Sequence, residues 1–304
     1  MKSTVLLICF VAAVGLLATA ESKSDEQGKD TAPPKPDASD KFIGKEAGQV
    51  RDDNGLKMKL VWCPAGKFTM GSPASEIGAT GRHRENENQV SVTLTRGFWL
   101  GKYEVTQQEY ARIIGKNPSG FSTGSDGEQD VSGQNTDRFP VERVNWDDAM
   151  EFCRRLTQQE RQAERLLSGW EFTLPTEAQW EYSCRAGTTT PFSCGTKLTV
   201  KNANCGGEDD GTLHRTARVG SYAENAWGIS DMHGNVFEWC RDFYSEKLPG
   251  GPDPDVRKES EFRTLRGGAW NYYSAACRSA QRTYPTSEYR GNNAGFRVAL
   301  VPVR

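Results

Sequence analysis

The chain has 304 residues and carries 38 Lys and Arg against 40 Asp and Glu, a net charge of −2. That balance gives no field to gather nucleic acid or an anionic membrane surface, and no run of like charges suggests either partner. With 31 Gly, 8 Trp and few long helical patterns, the composition points to a loop-rich α+β chain and away from a helical bundle or a wound parallel sheet.

Residues 1–20 read as a cleaved secretory leader: Lys2 supplies the positive start, Val5 to Ala18 the apolar run, and Ala18-Thr19-Ala20 the small-residue cleavage site. The run of 14 residues falls short of the ~20 that span a bilayer. The expectation is a secreted or periplasmic protein with no stable membrane insertion. Residues 21–45 are rich in Ser, Asp, Glu, Lys and Pro and bury too little to offset the entropy of ordering, so they read as a tether. No second linker interrupts residues 46–304, which are taken as one domain.

Three helices carry start signals. Thr106 with Glu109 forms a capping-box pattern ahead of Tyr110, Ile113 and Ile114, and Gly115 with Pro118 ends the element. Asn145 with Asp148 opens a second helix through Ala149, Phe152, Cys153 and Leu156. Thr176 with Gln179 opens a third, bearing Trp180 and Tyr182 and stopped at Gly187. Between the first two, residues 117–137 are Ser, Gly, Asp and Gln-rich without periodicity and are expected to be a mobile surface loop. SVTLT (Ser91 to Thr95), EFTL (Glu171 to Leu174), TLRGGAW and GFRVALVPV alternate β-branched or aromatic residues and read as strands.

The stretch Gly228 to Trp239, GISDMHGNVFEW, is the richest in chemistry. Asp231 and Glu238 are separated by Gly234 and by apolar residues that offer backbone carbonyls, a pattern that suits a hard cation such as calcium. The same two side chains also read as structural, Asp231 capping a turn and Glu238 pairing with one of the later arginines.

This stretch is one of a set. VWCPAGKFTMGS, FWLGKYEVTQQEY, LPTEAQWEYSCRAG, DMHGNVFEW, RGGAW, CRSAQR and GFRV succeed one another between Gly55 and Arg304, and in this order they resemble the formylglycine-generating, or sulfatase-modifying-factor, family. The resemblance implies a C-type-lectin-like fold with short strands and long ordered loops. It implies calcium held by Asp231, the carbonyls of Gly234 and Val236, and Glu238. A further calcium site would begin at Asn204 and Cys205, with Asp209 or Asp210 contributing. It also implies a disulfide between Cys184 and Cys277. Cys153 matches a position whose usual partner comes just after GFR, where this chain has Val298. Removing the leader leaves seven cysteines, an odd number that keeps at least one thiol unpaired within the monomer; Cys194 and Cys205 flank a short loop that a bridge would close.

Active enzymes of that family oxidise a substrate cysteine with two cysteines just after a Gly-Gly motif, which hold copper as thiolates; soft thiolates suit monovalent copper. Here Gly267 and Gly268 lead into AWNYYSAAC, Tyr272 takes the first cysteine's place, and the segment before Cys277 is too short for the second. Copper and the oxidase chemistry are therefore not expected. Three histidines, His83, His214 and His233, are too dispersed in sequence to suggest the iron site of the related sulfoxide synthases. Nothing resembles the GxSxG turn of a serine hydrolase. Arg266, Arg278, Arg282 and Arg297 read as structural partners of Glu238 and other buried acids.

Two classes of function remain. The favoured one is a non-catalytic binding module, with an unidentified protein or small molecule as partner; one form of it is a display surface like that of the variable proteins sharing the fold. The alternative is a formylglycine-generating oxidase or related enzyme acting on protein cysteine through other groups. WNYYSAAC has the Tyr, Asn and Ser content of an adaptable contact surface, which makes Asn271, Tyr272, Tyr273 and Ser274 the candidate binding residues.

Overall fold

The last strand of the chain sits inside the largest sheet, between strands that come much earlier. A computed structural model describes residues 42–76, 86–206 and 211–303. The expected leader, the tether up to residue 41, His83, Asp209 and Asp210 lie outside them. The largest sheet runs in the order β1 (Val50–Arg51), β2 (Leu60–Cys63), β5 (Phe98–Gly101), β11 (Ala299–Pro302), β6 (Trp170–Thr173), every pairing antiparallel. A second sheet places β7 (Phe237–Phe243) between β10 (Ala294–Gly295) and β9 (Arg263–Arg266), and a third joins β3 (Gly66–Met70), β4 (Val90–Leu94) and β8 (Gly251–Pro252).

Three helices, α1 (Gln107–Ile114), α2 (Trp146–Gln162) and α3 (Glu177–Arg185), begin where the sequence signals place them. Each is closed by a complete capping box, from Thr106 and Glu109, Asn145 and Asp148, and Thr176 and Gln179. Gly115 ends α1 in the left-handed region, whereas Ala186, one residue before the expected stop, takes that conformation after α3. Helices α1 and α2 pack through Tyr110 and Phe152, stacked at 5.7 Å, with Phe296 set edge-on to both. These rings anchor the larger core, which also takes in Trp62, Trp99, Trp170 and Trp239.

Two expectations change. GFRVALVPV is not one strand: it pairs at Ala294–Gly295 and again at Ala299–Pro302, and between them Arg297 turns a fully buried guanidinium inward. Residues 117–137 are not loose either. The Glu142 carboxylate accepts the main-chain N–H groups of Gly120 and Phe121 at 2.9 and 2.8 Å. Phe121, Val131 and Phe139 then form a small apolar cluster against Trp270, so the loop is pinned at its base and carries its own core.

Candidate functional site

The turn into β7 brings most of the singled-out residues together. Asp231 and Asn235 both adopt positive φ, 59° and 62°, conformations costly for residues with a Cβ and held only where the surroundings fix them. Gly234, also left-handed at 82°, is required by space: a Cβ there would lie 2.2 Å from the Asn204 carbonyl oxygen. The Asn204 side-chain amide donates to the Arg215 carbonyl and to Asn235 Oδ1, while its main-chain oxygen accepts from Asn235 N. Asn204 thus clamps the turn.

Glu238 lies in a strand, not in an ion-binding loop, and both its oxygens are engaged. Oε2 accepts Arg297 Nε at 2.6 Å and Trp180 Nε1 at 2.7 Å, and Oε1 accepts Arg297 Nη2 at 2.6 Å. A cation at Glu238 would have to displace a guanidinium held in bidentate geometry; in this structure Glu238 is an arginine partner. The other arginines behave alike: Arg266 pairs with Glu181, Arg278 with Glu76 and Glu87, and Arg282 with Glu177, all with buried side chains.

Asp231 differs. Its Oδ2 accepts Gly220 N at 2.6 Å, and its carboxyl lies within hydrogen-bonding reach of Glu104, a residue that the sequence offers only as part of the segment FWLGKYEVTQQEY. Glu104 is buried; its Oε1 accepts Asn235 Nδ2 at 3.0 Å, whereas Oε2 has no donor. Burial pushes Asp231 up to about 6, and burial together with the neighbouring Asp231 charge pushes Glu104 well above the ordinary carboxylate range. Three carboxylates, Glu104, Asp231 and Glu238, share one guanidinium, that of Arg297. The excess negative charge and the orphaned oxygen suit a proton or a hard cation between Glu104 and Asp231. Among the described residues no three His, Cys, Asp or Glu side chains converge on one point, so a cation there would rely on these two carboxylates and main-chain oxygens.

The thiols are dispersed and buried. Gly268 adopts a φ of 77°, and a Cβ on it would lie 2.3 Å from Cys277 Sγ, so this glycine lets the segment close over that sulfur. The expected disulfide is not present: Cys277 Sγ points to the Tyr273 carbonyl, while Cys184 Sγ lies against Met232 O, Ser279 Oγ and His233. His233 touches both residues, its Nε2 3.8 Å from Cys184 Sγ and its Nδ1 2.8 Å from the Cys277 carbonyl. Cys194 is exposed, with its sulfur toward Lys197 O, and Cys205 is buried in the Cys277 cluster, so these two do not close the short loop between them. Cys153 is a buried thiol, as its missing counterpart at Val298 suggested. Burial pushes Cys63 and Cys184 up to about 12 and raises Cys153, Cys240 and Cys277 as well.

After Gly267 and Gly268 the chain makes a tight turn, with Tyr272 N bonded to Ala269 O, and is tied to the Asp231 turn by a bond from Trp270 N to Asn235 O. Tyr272 sets its ring edge-on to Phe237 at 4.8 Å. Together with Tyr284, Tyr289 and Pro285 it lines a cleft of about 350 Å³. Tyr273 projects beside it, 71% exposed. Asn271 joins the rim through a chain of bonds, Asn293 Nδ2 to Asn271 Oδ1 and Tyr289 Oη to Asn293 Oδ1. Ser274 instead begins the 3-10 turn Ser274–Cys277. The cleft's only ionised lining group, Arg282, spends its charge on Glu177, leaving an aromatic, electrically neutral surface.

Short strands, a few helices and long pinned loops around this turn define a C-type-lectin-like α+β protein. Residues 47–301 match the sulfatase-modifying factor enzyme 1-like domain, and the chain belongs to that family. It is 29% identical over 271 residues to the chaperone protein LppX of Paenibacillus barcinonensis, covering 75% of this chain and 87% of that one. It is 25% identical over 300 residues to the formylglycine-generating enzyme of Mus musculus, covering 79% and 74%. Among solved structures, PvdO from Pseudomonas aeruginosa superposes with a TM-score of 0.70 at 28% identity over 84% of this chain and 99% of its own. Treponema denticola variable protein 1 shares the fold, with a TM-score of 0.68 at 23% identity over 83% and 98%. Among the described residues no helix is long and apolar enough to cross a membrane.

Proposed function

We propose that this chain is an exported binding module of its family that does not oxidise cysteine, stabilised by calcium and contacting its partner through the cleft beside Tyr272. The observation that carries the reading is Tyr272 itself. It stands where the family resemblance puts the first redox thiol, and its ring forms a wall of the cleft against Phe237. The burial that raises the neighbouring thiols supports it further, because a copper ligand or nucleophile at sulfur must be a thiolate. Tyr272, Tyr273 and Tyr289 expose 40%, 71% and 38% of their surfaces around this cleft, and clustered exposed aromatics of this kind supply contact area at low entropic cost. The direct test is to incubate the copper-loaded mature protein with a Cys-x-Pro-x-Arg peptide and look for the aldehyde by mass. No product is expected. Turnover that disappears on Cys277→Ser or Cys153→Ser would overturn the reading.

The calcium reading rests on Glu104 and Asp231, with the Gly234 and Val236 carbonyls completing the oxygen set and Glu238 left to Arg297. The ion would neutralise the two facing carboxylates. Since the unfolded chain has no assembled site, binding stabilises the fold by mass action, about 2.7 kcal/mol at a hundredfold excess over Kd. Chelation is expected to lower Tm, and Glu104→Gln to remove that sensitivity. A melting curve indifferent to chelator in the unsubstituted protein would rule the ion out.

A further inference from the structure

A second concavity, of about 240 Å³, opens where Lys57, Lys59, Arg138 and Arg218 converge, with Glu104 and Glu109 as its only acids. Its walls are fixed by the main chain. Lys59 O accepts Lys102 N at 2.8 Å and Arg138 O accepts Val219 N at 2.9 Å, so residues distant in sequence are stitched side by side. Lys57 is held in the left-handed region at a φ of 58°, in a turn closed by two bonds between the Asn54 side chain and the Met58 backbone. Backbone strain kept in place in this way marks a position whose direction is fixed by its surroundings. The Arg138 guanidinium rides over the Tyr103 ring at 5.3 Å, which limits where its fork can point.

The charge in this pocket is unbalanced. None of the four cations makes a salt bridge among the described residues. Glu109 accepts the N–H and hydroxyl of Thr106 at its Oε2 and is also attracted by the Arg138 charge, so it offsets part of one cation and leaves the four in excess. Glu104 is buried and its Oε1 accepts Asn235 Nδ2 at 3.0 Å. Outside the pocket, Asp53 is bound by Arg51 and Glu224 by Lys102. Four positive groups around a small concavity focus field on whatever enters it.

We propose that this pocket binds a phosphate-type oxyanion, either the free anion or the phosphate of a small metabolite, through Lys57, Lys59, Arg138 and Arg218. Two guanidiniums provide forked donors and two ammoniums provide point charges, the combination that matches the several oxygens of a phosphate. The volume corresponds to roughly eight waters, room for a group of about pyrophosphate size. A polymer is the poorer fit: the cations are gathered in one pocket and do not run along a face or groove as nucleic acid or a lipid surface would need.

Calorimetric titration of the full mature protein with inorganic pyrophosphate at low ionic strength tests the proposal. Saturable 1:1 binding is expected, weakening as salt rises because the pocket is partly open to solvent. Arg138→Gln and Lys59→Gln should each weaken binding about fivefold to tenfold with an unchanged melting curve, whereas Lys201→Gln, on an exposed loop elsewhere, should leave it intact. Parallel titrations with inorganic phosphate and with a sugar phosphate separate the two sources: tighter binding of the sugar phosphate assigns a metabolite, equal binding the free anion. Absence of saturable heat, or binding by the Arg138→Gln Lys59→Gln double variant as tight as by Lys201→Gln, would overturn it.

Discussion

His233 shows how burial decides the role of a reactive-looking side chain. Its Nε2 meets Ser193 Oγ at 2.9 Å, the contact expected of a nucleophile and its base, but the same nitrogen also accepts Ser193 N at 3.0 Å. With Nδ1 donating to the Cys277 carbonyl, the neutral imidazole is fully satisfied as a structural bridge. Burial pushes it down to about 4, so it is a poor general base near neutrality. The folded pKa is depressed, hence its contribution is present above the unfolded value near 6.5 and is lost as pH falls from there through about 4, by up to about 3 kcal/mol. Asp242 and Glu142, both pushed up to about 7 by burial, have the opposite sign and lose stability as pH rises through that value. A comparison of variants is therefore needed to isolate the histidine. Urea unfolding of the native chain and of His233→Gln between pH 7 and pH 4 should show a shallower decline in the variant, and parallel declines would remove the assignment.

At the level of elements, the sequence is most legible where a local device suffices. All three helix starts can be placed because a capping box needs only two residues three apart, and both partners are on the chain already. Strands β1, β2, β3, β5, β7 and β8 escape a reading of the sequence, and for β2 and β5 the reason is physical. LVWC in β2 and FWLG in β5 are buried on both faces, so they lack the alternation that betrays a half-exposed strand. The edge strand β6 is legible, but its protection is tertiary. Thr157 of α2 accepts Phe172 N at 2.9 Å and lies 3.3 Å from Phe172 O, and Arg161 donates to Trp170 O at 3.0 Å. The helix thereby satisfies the outward groups of an edge that would otherwise recruit another chain. Thr157→Val should leave a buried N–H without a partner and cost about 1–3 kcal/mol, with Thr157→Ser losing less. Equal urea midpoints for the Val variant and the unsubstituted chain would show that the helix does not protect this edge.

Across the whole molecule, the family and the closing motifs are legible in the sequence while the wiring between them is not. The arginine pairs can be anticipated as a class, yet which carboxylate meets which guanidinium depends on contacts such as Arg278 with Glu87, 191 positions apart. Glu104 is missed for the same reason: nothing near it in sequence signals the Asp231 it faces. The cysteines bring the contrast to a measurable point. A disulfide transferred by resemblance ties Cys184 to Cys277, whereas the structure buries both as thiols, Cys184 Sγ against His233 and Cys277 Sγ toward Tyr273 O, and leaves only Cys194, of the seven cysteines among the described residues, exposed to solvent. Buried thiols with raised pKa react slowly with alkylating reagents because access and thiolate fraction both fall. Brief alkylation of the native, never-reduced protein should therefore modify Cys194 quickly and the other six only at the rate of unfolding, and denaturant without reductant should then expose Cys184 and Cys277 to label. If peptide mapping instead returns these two joined and unlabelled after denaturation, the protein carries the bridge and the two sulfurs must turn away from their contacts with Ser279 Oγ and Tyr273 O to form it.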